Sequence, residues 1–316
     1  MIQRESPKII ELAVKLLKSG DLVSIKTETV YGLGGCAFNS NAIRKIYKIK
    51  ERPFNNPLII HVNSLEMASE IAELNEEAVK ISKCFWPGPL TIILPLKNNT
   101  KISKEALSGL GTVAIRIPDS KVFLKIIKKV NEPIAAPSAN LSGYISSTKS
   151  CHVHQSFGRK IKLIIDSGQS QYGLESSIIN LTKKPYEFER IGIIDQETIY
   201  NLSKISIREK TFSTKIVAPG QLLRHYSPTT PVRLNAETHN KEEAFLAFGK
   251  KFFNLNKYSL NLSPSGNLKE AAFNLFDYLI KLDGLNKTTI AISPIPNYGI
   301  GKVINEKLER AAISNG

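Results

Sequence analysis

Between Ser24 and His61 the chain gathers the groups that hold a polyphosphate. An apolar run (Leu22, Val23, Ile25) gives way to Thr27-Glu-Thr29, then to Gly32, Gly34 and Gly35, where a backbone can turn tightly or approach a ligand. Lys50 and Arg52 follow at the end of a short helical pattern over residues 41–50, and the apolar run Leu58–Val62 carries His61 near its end. Hydroxyls, backbone amides and paired cations suit a nucleoside triphosphate. Neither Gly-x-x-x-x-Gly-Lys-[Ser/Thr] nor Gly-x-Gly-x-x-Gly occurs, so such a ligand would be held by a less common route.

Four further segments concentrate similar chemistry. Trp86-Pro-Gly-Pro89 is a rigid turn before a strand and by itself reads as structural. Period two places Thr112, Ala114 and Arg116 on one strand face, and an arginine there needs an anion, either a ligand or a structural carboxylate. Ala136-Pro-Ser138-Ala-Asn140-Leu-Ser142-Gly143 ends a strand in a donor-rich loop, where ligands sit in open α/β sheets. Gly173-Leu-Glu-Ser176-Ser177 repeats the small hydroxyls at a strand entry. Taken alone, His61 reads as a satisfied core histidine. His152-Val-His154 has no acidic or cysteine partner at metal-binding spacing and reads as a solvated loop or helix.

The elements that must position these residues alternate. Strand-like runs are 22–26, 58–62, 91–96, 113–117, 134–136, 163–165, 177–181 and 187–191; helical runs are 7–16, 65–74, 76–84, 121–130 and 196–202. Several links are too short for a crossover helix, which predicts an α/β sheet with antiparallel members. Residues 205–228 break the alternation and read as a linker between a domain at 1–204 and a smaller α/β domain at 229–316, with strands near 232–234, 244–248, 258–261 and 290–293 and helices at 268–282 and 300–312.

Composition narrows the class. The chain has 316 residues, 42% hydrophobic and 22% charged, ordinary values for a globular protein with two cores. No apolar run is long enough to span a membrane, and no signal-peptide core precedes the first helical pattern, so a cytoplasmic protein is expected. Cys36, Cys84 and Cys151 are scattered, which argues against a disulfide framework or a zinc cluster. Of the net +15, only +3 falls on residues 229–316, leaving +12 on residues 1–228; that balance suits a polyanionic ligand and equally suits solvated lysine faces.

In this order the segments resemble the L-threonylcarbamoyladenylate synthase family, whose catalytic part is the YrdC-like domain. Lys50-Glu51-Arg52 matches the family's Lys-x-Arg and Ser138-Ala139-Asn140 its Ser-x-Asn, while residues 27–34, 86–91 and 136–143 are similar to its signature segments. Residues 219–228 and 299–312 resemble the linker and terminal helix of the long, two-domain form. Two residues depart from the pattern: Lys26, where the family often has proline, is expected to alter the local turn, and Leu174 is expected to be silent.

The resemblance implies a YrdC-like twisted sheet of mixed parallel and antiparallel strands with flanking helices, plus a smaller Rossmann-like domain. It implies that L-threonine, bicarbonate and ATP give threonylcarbamoyl-AMP and pyrophosphate, for N6-threonylcarbamoyladenosine in tRNAs reading codons that begin with A. Carried over residue by residue, the threonine pocket is Thr29, His61, Arg116, the Ala136 backbone and Ser176. The ATP set is Lys50, Arg52, Asn56, Thr112, Ser138, Asn140, Ser146, Arg190 and, from the linker, Tyr226, with Lys50 and Arg52 as the catalytic cations. Mg²⁺ is expected with ATP and without protein side-chain ligands. Implied partners are weakly bound tRNA and a tRNA threonylcarbamoyl transferase complex that receives the product; no membrane is expected. An RNA-binding module is disfavoured because the cations sit inside the ligand motifs and lack interleaved aromatics. A carbamoyl transferase on the same domain type is disfavoured by the missing cysteine clusters.

Overall fold

Apolar runs do become strands, but they pair in an order that the chain does not follow. The structure, a computed structural model, describes residues 1–210, 225–252 and 255–313. The first sheet consists of β1 (Ile2–Arg4), β2 (Val23–Lys26), β3 (Tyr31–Cys36), β4 (Ile59–His61), β5 (Leu90–Pro95), β6 (Thr112–Arg116), β7 (Ile134–Ala135), β8 (Leu163–Asp166), β9 (Ser177–Asn180), β10 (Glu187–Arg190) and β11 (Arg208–Glu209). Its spatial order is β1-β8-β2-β3-β7-β4-β6-β5-β9-β10-β11. Pairs β4–β6, β5–β9 and β2–β8 are parallel, whereas β2–β3, β3–β7 and β5–β6 are antiparallel.

Helices α1 (Pro7–Lys18), α2 (Ser40–Lys50), α3 (Leu65–Ile71), α4 (Glu76–Phe85), α5 (Lys104–Leu107), α6 (Lys121–Val130), α7 (Ser150–Phe157) and α8 (Gln196–Ser203) flank this sheet. Helix α1 starts as its sequence predicts: Ser6 caps it by accepting from the Ile9 amide, and proline takes the first position. Leu17 of α1 and Phe123 and Ile127 of α6 bury one face against Val23, Ile25 and Leu163. Ile43, Ile46, Ala68 and Ile81 from α2, α3 and α4 fill the other.

Of the two roles expected for the glycines at 32–35, the tight turn is not found: they belong to β3, a central strand with every residue buried, and Gly32 lines the cavity described below. The turn lies earlier, at 27–30, and the glycines keep the strand thin where neighbouring layers press on it.

The second sheet is wholly parallel: β12 (Val232–Arg233), β13 (Glu243–Ala247), β14 (Ser259–Asn261) and β15 (Thr289–Ile292), in the order β12-β15-β13-β14. Helices α9 (Leu268–Asp283) and α10 (Ile300–Ala312) pack on it. Its core also takes in Val30, Ile145 and Leu174 from the first sheet's loops, together with Tyr226. Gly173 has φ +74, and a Cβ there would lie 2.6 Å from the Ala272 carbonyl oxygen, so only glycine fits this approach of loop to α9.

The two units also meet through charge. His152 of α7 faces Asp277 of α9 at 3.1 Å, and Lys149 and Lys281 each reach the same carboxylate at 2.9 Å. Burial alone would raise the Asp277 carboxyl, but these hydrogen bonds outweigh it and hold the group well below the usual range. The expected helix forms and His154 on it is exposed, but the expectation of a solvated His152 is corrected: it is buried, and its acidic partner comes from the other domain. Most of the expected linker, residues 211–224, lies outside the described residues.

Candidate active site

The turn between β2 and β3 is organised by Thr27. Its hydroxyl donates to the Val30 carbonyl at 2.6 Å and accepts from the amides of Thr29 and Val30, both at 3.2 Å. This local closure fixes the adjacent Glu28 and Thr29. Lys26, just before the turn, donates to the Ser167 carbonyl at 2.5 Å.

Parallel pairing of β4 with β6 sets His61 beside Arg116 at the ends of two central strands. Arg116 is 3% exposed, and its Nη2 donates to Glu28 Oε1 at 2.6 Å and to Thr29 Oγ1 at 3.0 Å. Its Nε donates to the Gly88 carbonyl at 3.1 Å, so the Trp86–Pro89 turn does contribute to the site. Among the described residues, Nη1 makes no hydrogen bond. The structural-carboxylate alternative therefore holds at Nη2, and one edge of the guanidinium stays open. His61 stacks on Phe123 with centroids 5.1 Å apart, and its Nδ1 has no partner. Burial, with the Arg116 charge beside it, pushes this imidazole down to about 3, so it is neutral at physiological pH.

Further cations close the opposite wall. Arg52 donates from Nε to the Asn56 carbonyl at 3.0 Å and from Nη2 to Asn56 Oδ1 at 2.5 Å and the Pro57 carbonyl at 2.8 Å. Arg190 donates from Nε to the Ser176 carbonyl at 2.9 Å and from Nη2 to its hydroxyl at 3.1 Å, and that hydroxyl also meets Thr91 Oγ1 at 2.8 Å. Lys50 lies behind this wall; its ammonium donates to the Ser138 carbonyl at 2.6 Å and to the Asn140 carbonyl. Burial above all, then the Arg52 charge, drives Lys50 well below its ordinary value. Glu175 accepts from the Ser146 hydroxyl through one oxygen, and Oε2 has no partner.

Most of these groups line a cavity of about 40 Å³, to which His225 contributes from the linker side. Of its lining residues, the buried Arg52, Arg116 and Arg190 outnumber the one buried carboxylate, Glu175, and Glu28 pairs with Arg116 just behind. Among the described residues, Glu28 Oε2, Glu175 Oε2, His61 Nδ1 and His225 Nδ1 are buried without hydrogen-bond partners. In native interiors such groups are met by ordered water, an ion or a ligand. An excess of buried positive charge asks for an anion.

Thr29, His61, Arg116, Ala136, Ser176, Arg52, Ser138 and Arg190 line this cavity. Lys50, Asn56, Thr112, Asn140, Ser146 and Tyr226 do not. Asn56 orients Arg52, Ser146 holds Glu175, and the Asn140 amide donates to the carbonyls of Leu141 and Tyr144, both at 2.8 Å. Thr112 sits at the far end of β6, about 13 Å from Arg116 by strand rise. Tyr226 is fully buried in the second core, where it stacks on Phe276, and its neighbour His225 reaches the cavity instead. Glu28, Glu175 and His225 were missed as site residues. The usable signal for the two carboxylates was charge balance, because four cations destined for one interior require counter-ions.

Comparison with known proteins identifies the family. A family model described as "Telomere recombination" (Sua5_yciO_yrdC) fits residues 15–192, and one described as "Threonylcarbamoyl-AMP synthase, C-terminal domain" fits residues 191–313. The threonylcarbamoyl-AMP synthase of Pyrococcus abyssi is 36% identical over 96% of this chain and 94% of its own length. That of Bacillus subtilis is 33% identical over 98% of this chain and 94% of its own length. The crystal structure of P. abyssi Sua5 complexed with L-threonine superposes with a TM-score of 0.89 at 33% identity, covering 99% of this chain and 97% of that one. Escherichia coli YciO shares only the fold, over 63% of this chain and 100% of its own, with a TM-score of 0.57 and 21% identity. On matches spanning both of its domains, this chain belongs to the threonylcarbamoyl-AMP synthase family.

Proposed function

We infer that the chain is a threonylcarbamoyl-AMP synthase, a nucleotidyltransferase joining L-threonine, bicarbonate and ATP into L-threonylcarbamoyladenylate and pyrophosphate for tRNA modification. One observation carries the reading: a neutral histidine and a half-open arginine share a cavity with two further buried arginines, so an amino acid end and a phosphate end lie side by side.

Threonine's carboxylate meets Arg116 at Nη1, while the Glu28 pair fixes the plane of the guanidinium. His61 is too weak a base to remove a proton; its Nδ1 suits acceptance of a hydrogen bond from the threonine amine or hydroxyl. Bicarbonate loses hydroxide to give carbon dioxide, the amine adds to its carbon, and the displaced N–H proton passes to that hydroxide, leaving a carbamate and water. A carbamate oxygen then attacks the α-phosphorus as the bond to the β-phosphate oxygen breaks, and pyrophosphate leaves. Arg52 and Arg190 stabilise the charge that grows on those phosphates. No covalent enzyme intermediate is needed.

Bound Mg²⁺ would supply charge neutralisation on the pyrophosphate. It would be held chiefly by phosphate oxygens, since the described residues contain no group of three acidic, histidine or cysteine side chains; Glu175 Oε2 is the protein oxygen that fits it. Substrates enter past the wall bearing His225, which opens for them. Closing it again protects the carbamate and the mixed anhydride from water. Cytoplasmic location, weak tRNA contact and transfer of the product to a tRNA-modifying transferase complete the reading. No helix among the described residues is long and apolar enough to cross a membrane.

Pyrophosphate release with each of ATP, L-threonine and bicarbonate omitted in turn tests the function. Release that needs all three supports it; release independent of threonine overturns it.

A further inference from the structure

We propose that Lys307, on the terminal helix α10, is a positioning residue for the cavity: it seats Tyr226 and thereby holds His225 over the site. The proposal rests on the functional reading above.

Lys307 is 1% exposed, unusual for a lysine even when paired. Its ammonium ion-pairs with Glu306, lies 3.4 Å from the Ile191 carbonyl, and stands 5.1 Å from the centroid of the Tyr226 ring. Glu306 is itself held by Arg310 at 2.6 Å, one turn along the helix. A desolvated cation over an aromatic face attracts it strongly.

Tyr226 needs such a hold. Its φ is +62, a region that bulky residues avoid, and its hydroxyl is buried without a partner. Strain of that kind persists only where the surroundings over-determine it. Here the surroundings are Phe276 at 5.3 Å on one side, the Lys307 ammonium, and the His225 ring at 4.0 Å. His225 in turn lines the cavity beside Arg52 and Arg190. The chain of contacts runs from the second domain to the site without an intervening gap.

If Lys307 raises the population of the closed arrangement, its loss lowers apparent affinity and leaves saturated turnover nearly intact, because bound substrate restores closure. Lys307→Met is expected to raise KM for ATP about tenfold with kcat within threefold, and to speed amide exchange at residues 225–228. Lys307→Arg keeps the cation over the ring and is expected to stay within threefold of wild type in KM, which separates seating from simple packing. Tyr226→Leu should raise KM similarly, and the Lys307→Met/Tyr226→Leu double variant should go no further. Additive effects, an unchanged KM in a folded Lys307→Met protein, or an arginine variant as impaired as the methionine one would overturn the proposal. Wild-type protein inert towards all three substrates would instead sink the functional reading, while exchange at 225–228 would still decide the seating.

Discussion

The floor and the roof of the cavity are built by opposite means. On the floor, Arg52, Arg116 and Arg190 stand at helix or strand ends, and each is fixed by two or three hydrogen bonds to carbonyls, hydroxyls, an amide oxygen or a carboxylate. On the roof, Tyr226 stacks on Phe276, the His225 ring tilts against Tyr226 and an ammonium lies nearby, while among the described residues His225 Nδ1 and the Tyr226 hydroxyl have no partner. Directional bonds lock geometry before substrate arrives, as electrostatic stabilisation of a transition state requires. Stacked rings can separate and re-form without leaving a broken network. The molecule puts its preorganised charge in the first sheet and its less directionally bonded roof at the seam with the second.

Breaking the floor should have the largest effect. Arg116→Ala leaves Glu28 buried and unpaired, a loss of roughly 3–5 kcal/mol in stability. Threonine binding should weaken by about 1.5–3 kcal/mol, or roughly tenfold to 150-fold. Adding Glu28→Gln should recover much of the stability and none of the binding, as read by thermal unfolding and calorimetric titration. Equal threonine dissociation constants in wild type and single mutant would remove Arg116 from the site.

Wedging the seam should matter next. Gly173→Ala places a Cβ against the α9 backbone at a positive φ and should cost roughly 1–3 kcal/mol in urea unfolding, while threonine affinity stays within threefold. A smaller contrast separates the two motif cations. Arg52→Met should lower turnover, since the guanidinium faces the cavity, whereas Lys50→Met should chiefly raise KM for ATP by loosening the loop carbonyls of Ser138 and Asn140. Steady-state kinetics of both variants distinguish these outcomes, and matching turnover losses would return Lys50 to the phosphates.

The smallest effect is on pH dependence. His61 binds its proton less well folded than unfolded, so the unfolded chain holds more protons between about 3 and 6.5. Stability is therefore full above pH 6.5 and declines as pH falls through that window, on the order of 1–2 kcal/mol by pH 5. His225, also driven well below its ordinary value by burial, contributes in the same sense. His61→Gln should flatten the decline, as measured by urea midpoints at pH 7 and pH 5.

Legibility in the sequence followed locality. Runs such as 58–62 and 113–117 show themselves because apolar residues crowd between polar ends, and they lie within one residue of β4 and β6. Strand β3 hides because glycines carry no β-branched signal, and α7 because its few apolar residues make a weak period. Sheet order is invisible for another reason: β1 pairs with β8 through Ile2 and Ile164, a contact that no local pattern encodes. The same holds at the site. The cations could be read from their motifs, whereas the Glu28 and Asp277 partnerships join residues 88 and 125 positions apart.

Amide exchange measured at residues 113–117 and 225–228, with and without ATP plus L-threonine, most directly tests the division into rigid floor and movable roof. If the division holds, ligands slow exchange at 225–228 at least tenfold and leave 113–117 unchanged. Equal protection of both segments, or none at 225–228, would contradict it.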